Sequence, residues 1–358
     1  MVMRWRLDRI LYQKEKSLGM QLLLFPLYLA SILYGWAVRL RSALYASGLL
    51  QAKQLLCPVI SVGNITAGGT GKTPLVMALA KELNEKGIPV AILSRGYKGK
   101  PTSEVVVSNG EGIRLSCEEA GDEPYLMAKR LRGIPVLIGK DRFFSGRIAL
   151  QRFGVRGVIL DDGFQRLQLR RDLNILLVDS TIGFGDGHLL PRGILREPLA
   201  HLRRVDLFML TKVEDREACQ PLERLLRGIH PSAPVFHSRY EPSGLIGPGE
   251  EWEEVESLKG KKVLALSGIA DPFSFSSLLK KCGMKVIKEA AFPDHHYYTR
   301  SDIASLEEAV EEADWIVTTE KDLVRLGGFE IGRLPIRALR IEVRVEEEAF
   351  FKEVMRLF

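Results

Sequence analysis

Between residues 58 and 211 short apolar runs recur along the chain, with no fixed period. Val59–Val62, Pro89–Leu93, Val105–Val107, Pro135–Ile138, Gly157–Leu160, Asn174–Val178 and Asp206–Leu210 are rich in Val, Ile and Leu and too short for helices, so they read as strands. Thr73–Lys86 instead places Leu75, Leu79 and Leu83 four residues apart on one stripe and meets Gly87, the pattern of a helix and its stop. A further helix is expected to begin near Glu118. Buried strands separated by helical stretches predict a parallel sheet covered on both faces, with ligands at the strands' carboxyl ends.

The pattern shifts near residue 240. Glu241–Lys261 is rich in Pro, Gly and Glu and reads as a connector. Beyond it Val263–Ser267, Lys285–Glu289, Trp315–Thr319 and Ile336–Val343 are strand-like and alternate with helix candidates at 272–282, 301–312 and 346–358. The expected organisation is an N-terminal helical segment over 1–52, a nucleotide-binding α/β domain over 53–240, and a smaller α/β domain over 241–358 closing over the site.

The first of these segments has its own signature. Arg4, Arg6, Arg9, Lys14 and Lys16 precede an uncharged run from Ser17 to Val38, after which Arg39 and Arg41 resume. About 20 apolar residues suffice to cross a bilayer, but Gln21, Pro26, Ser31 and Gly35 dilute this run, and Tyr28, Tyr34 and Trp36 favour an interface. The favoured reading is a basic-flanked helix embedded in one leaflet, with a true span and a buried core helix as alternatives.

A formal charge of +6 suits an anionic membrane or a phosphorylated substrate. No aromatic-rich basic stripe or zinc-finger spacing accompanies it, so no nucleic-acid partner is expected. The cysteines at 57, 117, 219 and 282 lie far apart without a C-x-x-C pair and read as reduced thiols.

Candidate chemistry centres on residues 58–73, a β-branched run, a glycine-rich loop and Gly71-Lys72-Thr73 opening a helix. Backbone N–H groups at Gly68, Gly69, Thr70 and Gly71 can turn around a phosphate, Lys72 adds a point charge and the Thr73 hydroxyl suits Mg²⁺. The strict pattern wants Gly where Thr66 stands. Asp161-Asp162-Gly163 follows a buried run, where nucleotide-binding sheets hold Mg²⁺; a solvated turn is the alternative. Asp122 lies in the helix break Gly121-Asp122-Glu123-Pro124, placed either to accept a hydroxyl proton or to cap a helix. His295 and His296 stand beside Asp294, where either can hydrogen-bond a carboxylate. Arg196 and Glu197 end a glycine-rich stretch and suit a phosphate and Mg²⁺ respectively, or a plain surface turn.

Seven motifs occur in one order: Asn64 with Gly-Gly-Thr-Gly-Lys-Thr-Pro at 68–74, Ser-Arg-Gly-Tyr at 94–97, Gly-Asp-Glu-Pro at 121–124, Asp-Asp-Gly-Phe-Gln at 161–165, Leu-Leu-Pro-x-Gly-x-Leu-Arg-Glu-Pro at 189–198, Pro-Asp-His-His at 293–296 and Thr-Glu-Lys-Asp at 319–322. Together they resemble the tetraacyldisaccharide 4'-kinase family of Gram-negative bacteria. The resemblance implies a P-loop NTPase-like parallel-sheet fold, ATP and Mg²⁺ as cofactors, and an acylated, 1-phosphorylated glucosamine disaccharide as substrate. It also implies work at the cytoplasmic face of the inner membrane, in contact with its lipids, and the enzyme is taken to act as a monomer. Carried over by motif, Lys72 and the loop glycines hold phosphates, Thr73, Asp161, Asp162 and Glu197 manage Mg²⁺, Asp122 is the base with His295 its partner, and Arg142 and Arg196 meet the lipid headgroup. Arg166 stands where the family commonly has His, so no role of that His transfers. A different class, the nucleotide-switched membrane-associated ATPases, shares the loop but places Lys before the two glycines, where this chain has Ala67.

Overall fold

The computed structural model describes residue 19 and residues 23–100, 104–329, 331 and 334–358. The basic run over 4–16 and the start of the uncharged run lie outside the described residues. The chain divides into two compact α/β units, one made of 1–93, 141–239 and 345–358 and the other of 94–140 and 240–344.

In the first unit, parallel strands run in the order Val90–Ser94, Gly157–Asp161, Val59–Gly63, Leu173–Asp179, Leu207–Thr211 and the start of Val235–Ile246. Every residue of the first five of these is buried, which explains why their sequences are continuous apolar runs rather than alternating ones. Strand register brings the loop and the acids together. Val62 pairs with Asp161, so the strand that feeds the glycine loop ends beside the strand that carries the acids. The helix Lys72–Glu85 starts directly after Gly71, whose φ of 84° is left-handed.

The helix Phe25–Ala46 belongs to the same unit, and its burial is inverted: Ser31 and Gly35 are buried, whereas Leu33 and Trp36 are 72% and 69% exposed. A β-carbon at Gly35 would lie 2.7 Å from Leu189 Cδ1, so this small residue is what lets the helix approach. Among the described residues no helix is long and apolar enough to cross a membrane. Pro26, Ser31 and Gly35 dilute the apolar run of the longest one, and Arg39 and Arg41 fall within it.

In the second unit Lys285–Ala291, Lys262–Ser267, Trp315–Thr319 and Ile336–Val345 form parallel neighbours, and Val106–Ser108 pairs with Val136–Ile138 antiparallel. The expected connector over 241–261 is instead structured. Val235–Ile246 continues through it as a strand and pairs antiparallel with Trp252–Glu253. The expected boundaries also differ, because residues 94–140 group with 240–344 and the C-terminal helix Ala349–Met355 returns to the first unit. Helix Asp122–Arg130 is tied to helix Glu320–Leu326 by Lys321 to Glu123 and by Arg130 to Glu320 at 3.1 Å, partnerships between residues some 190 positions apart.

Candidate active site

The candidate residues gather in two constellations, one in each unit. In the first unit the loop after Val59–Gly63 begins with Asn64, fully buried, whose side-chain nitrogen donates to Thr66 O at 2.9 Å. Lys72 Nζ lies 3.3 Å from Asn64 Oδ1 and 3.6 Å from Asp162 Oδ1. Arg196 closes the same group, donating to Asp162 at 3.0 Å and 2.8 Å, to Asn64 O at 3.1 Å, and to Asn64 Oδ1. Desolvation raises the Asp162 carboxyl, but the Arg196 hydrogen bonds and the Lys72 charge outweigh it and hold the group well below the usual carboxylate range. Asp162 has a φ of 54°, a conformation costly for a non-glycine residue and characteristic of functional turns.

The acid turn is pressed against the loop. A β-carbon on Gly63 would lie 2.6 Å from Phe164 Cβ and 2.8 Å from its backbone nitrogen, so glycine is required there. Gln165 Nε2 donates to Asn64 O at 2.8 Å, and from helix Phe25–Ala46 Tyr34 donates to Arg196 O at 2.8 Å. The apolar N-terminal helix is thereby hydrogen-bonded to a residue of this group.

Thr73 and Asp161 are buried beside this group. Mg²⁺ retains waters and takes one or two carboxylates plus phosphate oxygens, and a hydroxyl with two strand-end acids is that donor set. Among the described residues no cluster of three or more His, Cys, Asp or Glu is arranged to hold a metal without such phosphates. Glu197 stands apart from the set: its carboxylate meets Arg204, and His201 Nδ1 at 2.7 Å. Arg142, expected to meet a headgroup, is 3% exposed in the first turn of helix Arg142–Phe153, so no exposed guanidinium is found there.

In the second unit, Gly121 has a φ of 86° and separates helix Cys117–Ala120 from helix Asp122–Arg130. Asp122 is the first residue of the second helix, with Gly121 in the capping position. His295 Nδ1 lies 2.8 Å from Asp122 Oδ2 and 3.1 Å from Oδ1. Tyr97, from the Ser-Arg-Gly-Tyr motif, packs edge-on against the His295 ring at 5.4 Å. His296 turns elsewhere, to Asp302 at 3.0 Å and to a stack with Phe292. Burial pushes the Asp122 carboxyl up, but the His295 hydrogen bond and the Lys321, His295 and Arg325 charges prevail and bring it to about 2. Asp122, His295 and Tyr97 line a cavity of about 490 Å³.

Sequence reasoning missed Arg325, whose Nε lies 3.2 Å from Asp122 Oδ2. The available signal was its spacing of four from Lys321 in the Thr-Glu-Lys-Asp motif, which puts both cations on one helix face. Tyr34 reads from the sequence only as an interfacial side chain.

The family described as tetraacyldisaccharide-1-P 4'-kinase matches residues 21–358. A tetraacyldisaccharide 4'-kinase of Desulfatibacillum aliphaticivorans is 42% identical over 342 residues, covering 92% of this chain and 91% of that relative. One of Geobacter sulfurreducens is 40% identical over 341 residues, covering 95% and 94%. The chain also superposes on the "apo" form of LpxK from Aquifex aeolicus in complex with ATP, with a TM-score of 0.75, 38% identity and coverage of 94% and 99%.

Proposed function

The chain belongs to the tetraacyldisaccharide-1-P 4'-kinase family, kinases of lipid A biosynthesis, and on that premise we propose that its two constellations serve one phosphoryl transfer. ATP docks on the backbone N–H groups of Gly68, Gly69, Thr70 and Gly71, with Lys72 exchanging its Asn64 and Asp162 contacts for phosphate oxygens. Thr73, Asp161 and Asp162 hold Mg²⁺, which when bound neutralises charge on the phosphates. Glu197 joins that set only by leaving Arg204 and His201. The acceptor is the 4'-hydroxyl of an acylated, 1-phosphorylated glucosamine disaccharide, and Arg196 meets its headgroup.

Asp122 accepts the hydroxyl proton, and His295 orients it. A carboxylate near 2 is fully ionised at neutral pH and a weak base. That suits a loose phosphoryl-transfer transition state, in which positioning of the nucleophile matters more than early proton removal.

An acylated substrate leaves its bilayer at a cost of about 0.8 kcal/mol per buried CH₂, so the enzyme must work at the surface. The inverted helix Phe25–Ala46 supports that: it points Leu33 and Trp36 outward while Tyr34 holds the phosphate site. We place it in the cytosolic leaflet of the inner membrane, with the enzyme acting as a monomer.

The observation that carries the reading is the pairing of Lys72 with Asp162 in one unit and Asp122 with His295 in the other. Purified protein given Mg²⁺, γ-labelled ATP and the lipid disaccharide should return labelled lipid. Folded protein that consumes ATP without labelling the lipid would overturn the proposal and favour the ATPase alternative.

A further inference from the structure

Arg325 is 4% exposed at its side chain, and a guanidinium is costly to bury without anions and acceptors around it. The surroundings supply both. Nε donates to Lys321 O at 3.1 Å and faces Asp122 Oδ2 at 3.2 Å, while Nη1 lies 3.3 Å from Asp322 Oδ1 and donates to Gly268 O at 3.0 Å. Asp322 is itself fully buried and fixed by Tyr298 Oη at 2.7 Å, Thr319 Oγ1 at 2.6 Å and the Gly268 N–H at 3.0 Å. The guanidinium is therefore held from behind by a rigid acid, with one edge turned to Asp122.

The count of acceptor sites on Asp122 makes this arrangement informative. A carboxylate offers about four lone-pair positions. Hydrogen bonds engage two of them, from His295 Nδ1 and from the Glu123 N–H at 2.9 Å on Oδ1, while the single Arg325 Nε proton goes to Lys321 O and the guanidinium charge lies 3.2 Å from Oδ2. The other positions are open to a hydroxyl.

We propose that Arg325 is a positioning residue for phosphoryl transfer: with His295 it holds the Asp122 carboxylate in place, the guanidinium by its charge and the imidazole by its hydrogen bond, so that the open acceptor positions face the substrate hydroxyl. The inference rests on the base role proposed for Asp122. Its charge also opposes protonation of that carboxylate, alongside His295 and Lys321, while Cys117 and Tyr297 are the other titratable groups coupled to it. Glu123, paired with Lys321, and Asp294, 3.8 Å from His295 Nε2, complete the charged surroundings.

The test compares Arg325→Met and Arg325→Lys in the full chain, measuring kcat and the KM for ATP from about pH 4 to about pH 9. Arg325→Met is expected to lower kcat at neutral pH by about tenfold to a hundredfold at unchanged KM for ATP, the size of loss a misplaced reacting group brings. Its acid limb, which lies below the assayed range in the wild type because Asp122 stands at about 2, should rise by about two to three pH units and enter that range, and Arg325→Lys should recover most of both. Should Arg325→Met fail to fold by circular dichroism, Arg325→Gln, which keeps a donor without the charge, is judged by the same limb. A neutral variant with wild-type kcat and limb, or a lysine variant as impaired as the neutral one, overturns the proposal. Wild-type protein that labels no lipid would instead defeat the reading of the function, so the two failures are distinguishable.

Discussion

Replacing Asp122 by Asn keeps the side chain's shape and removes its charge, leaving His295 and Arg325 without the anion they share. The consequences differ in size and appear in different assays. The carboxyl lies at about 2 against an ordinary 3.8, and at about 1.36 kcal/mol per tenfold this difference contributes about 2–3 kcal/mol to folding. Because the folded value is depressed, that contribution is fully present above about pH 4 and is lost as pH falls through about 2. Asp122→Asn should therefore lower the urea-unfolding free energy at neutral pH by about that amount, with the difference from wild type shrinking towards acid. Turnover should fall further, by about 10²–10⁴-fold, the usual contribution of a proton acceptor, while ATP binding persists. Labelled-lipid assays at saturating ATP separate the two. A stability loss with near-normal turnover would make Asp122 a structural anion and refute the base reading.

Gly63→Ala brings a β-carbon to 2.6 Å from Phe164 Cβ and should cost about 1–3 kcal/mol, read as a lower melting temperature; an unchanged melt would mean the acid turn is free to shift. Leu33→Asp combined with Trp36→Asp should move the protein from the membrane pellet to the supernatant without altering its fold, since both side chains are exposed; a variant that still pellets would assign the anchor elsewhere. His237 places its two ring nitrogens 2.8 Å from Glu347 and 2.8 Å from Glu223. Breaking this half-buried bridge with His237→Phe should cost about 1–3 kcal/mol in urea unfolding, since Glu347 keeps Arg216 and Glu223 keeps Arg227, and a loss under about 0.5 kcal/mol would show the ring's hydrogen bonds to be dispensable.

How much of this was legible in the sequence depends on how local the determining contact is. The strand, glycine loop and helix over 59–85 were, because burial on both faces forces apolar runs and the left-handed Gly71 marks the turn. The hairpin through 246 and 252 was hidden, because Pro242, Gly244 and Gly247 resemble a connector when their strand partners are unknown. The grouping of 94–140 with 240–344 rests on ion pairs such as Lys321 with Glu123, which no window of the chain contains. The choice between the adjacent histidines was open locally and is decided by the backbone: His295, at φ 58°, turns to Asp122, while His296 binds the Asp302 that caps helix Arg300–Ala309. Beyond its spacing from Lys321, nothing in the sequence singles out Arg325, because its ion pair is with Asp122, more than 200 residues earlier.

We propose that the Lys72 loop holds the triphosphate and that the Asp122 carboxylate receives the acceptor hydroxyl. A crystal structure with a non-hydrolysable ATP analogue, Mg²⁺ and the lipid disaccharide tests it most directly. The γ-phosphate is expected against Lys72, with the 4'-hydroxyl within hydrogen-bond reach of Asp122. A triphosphate seated away from Lys72, or an acceptor hydroxyl whose nearest base is another residue, would contradict it.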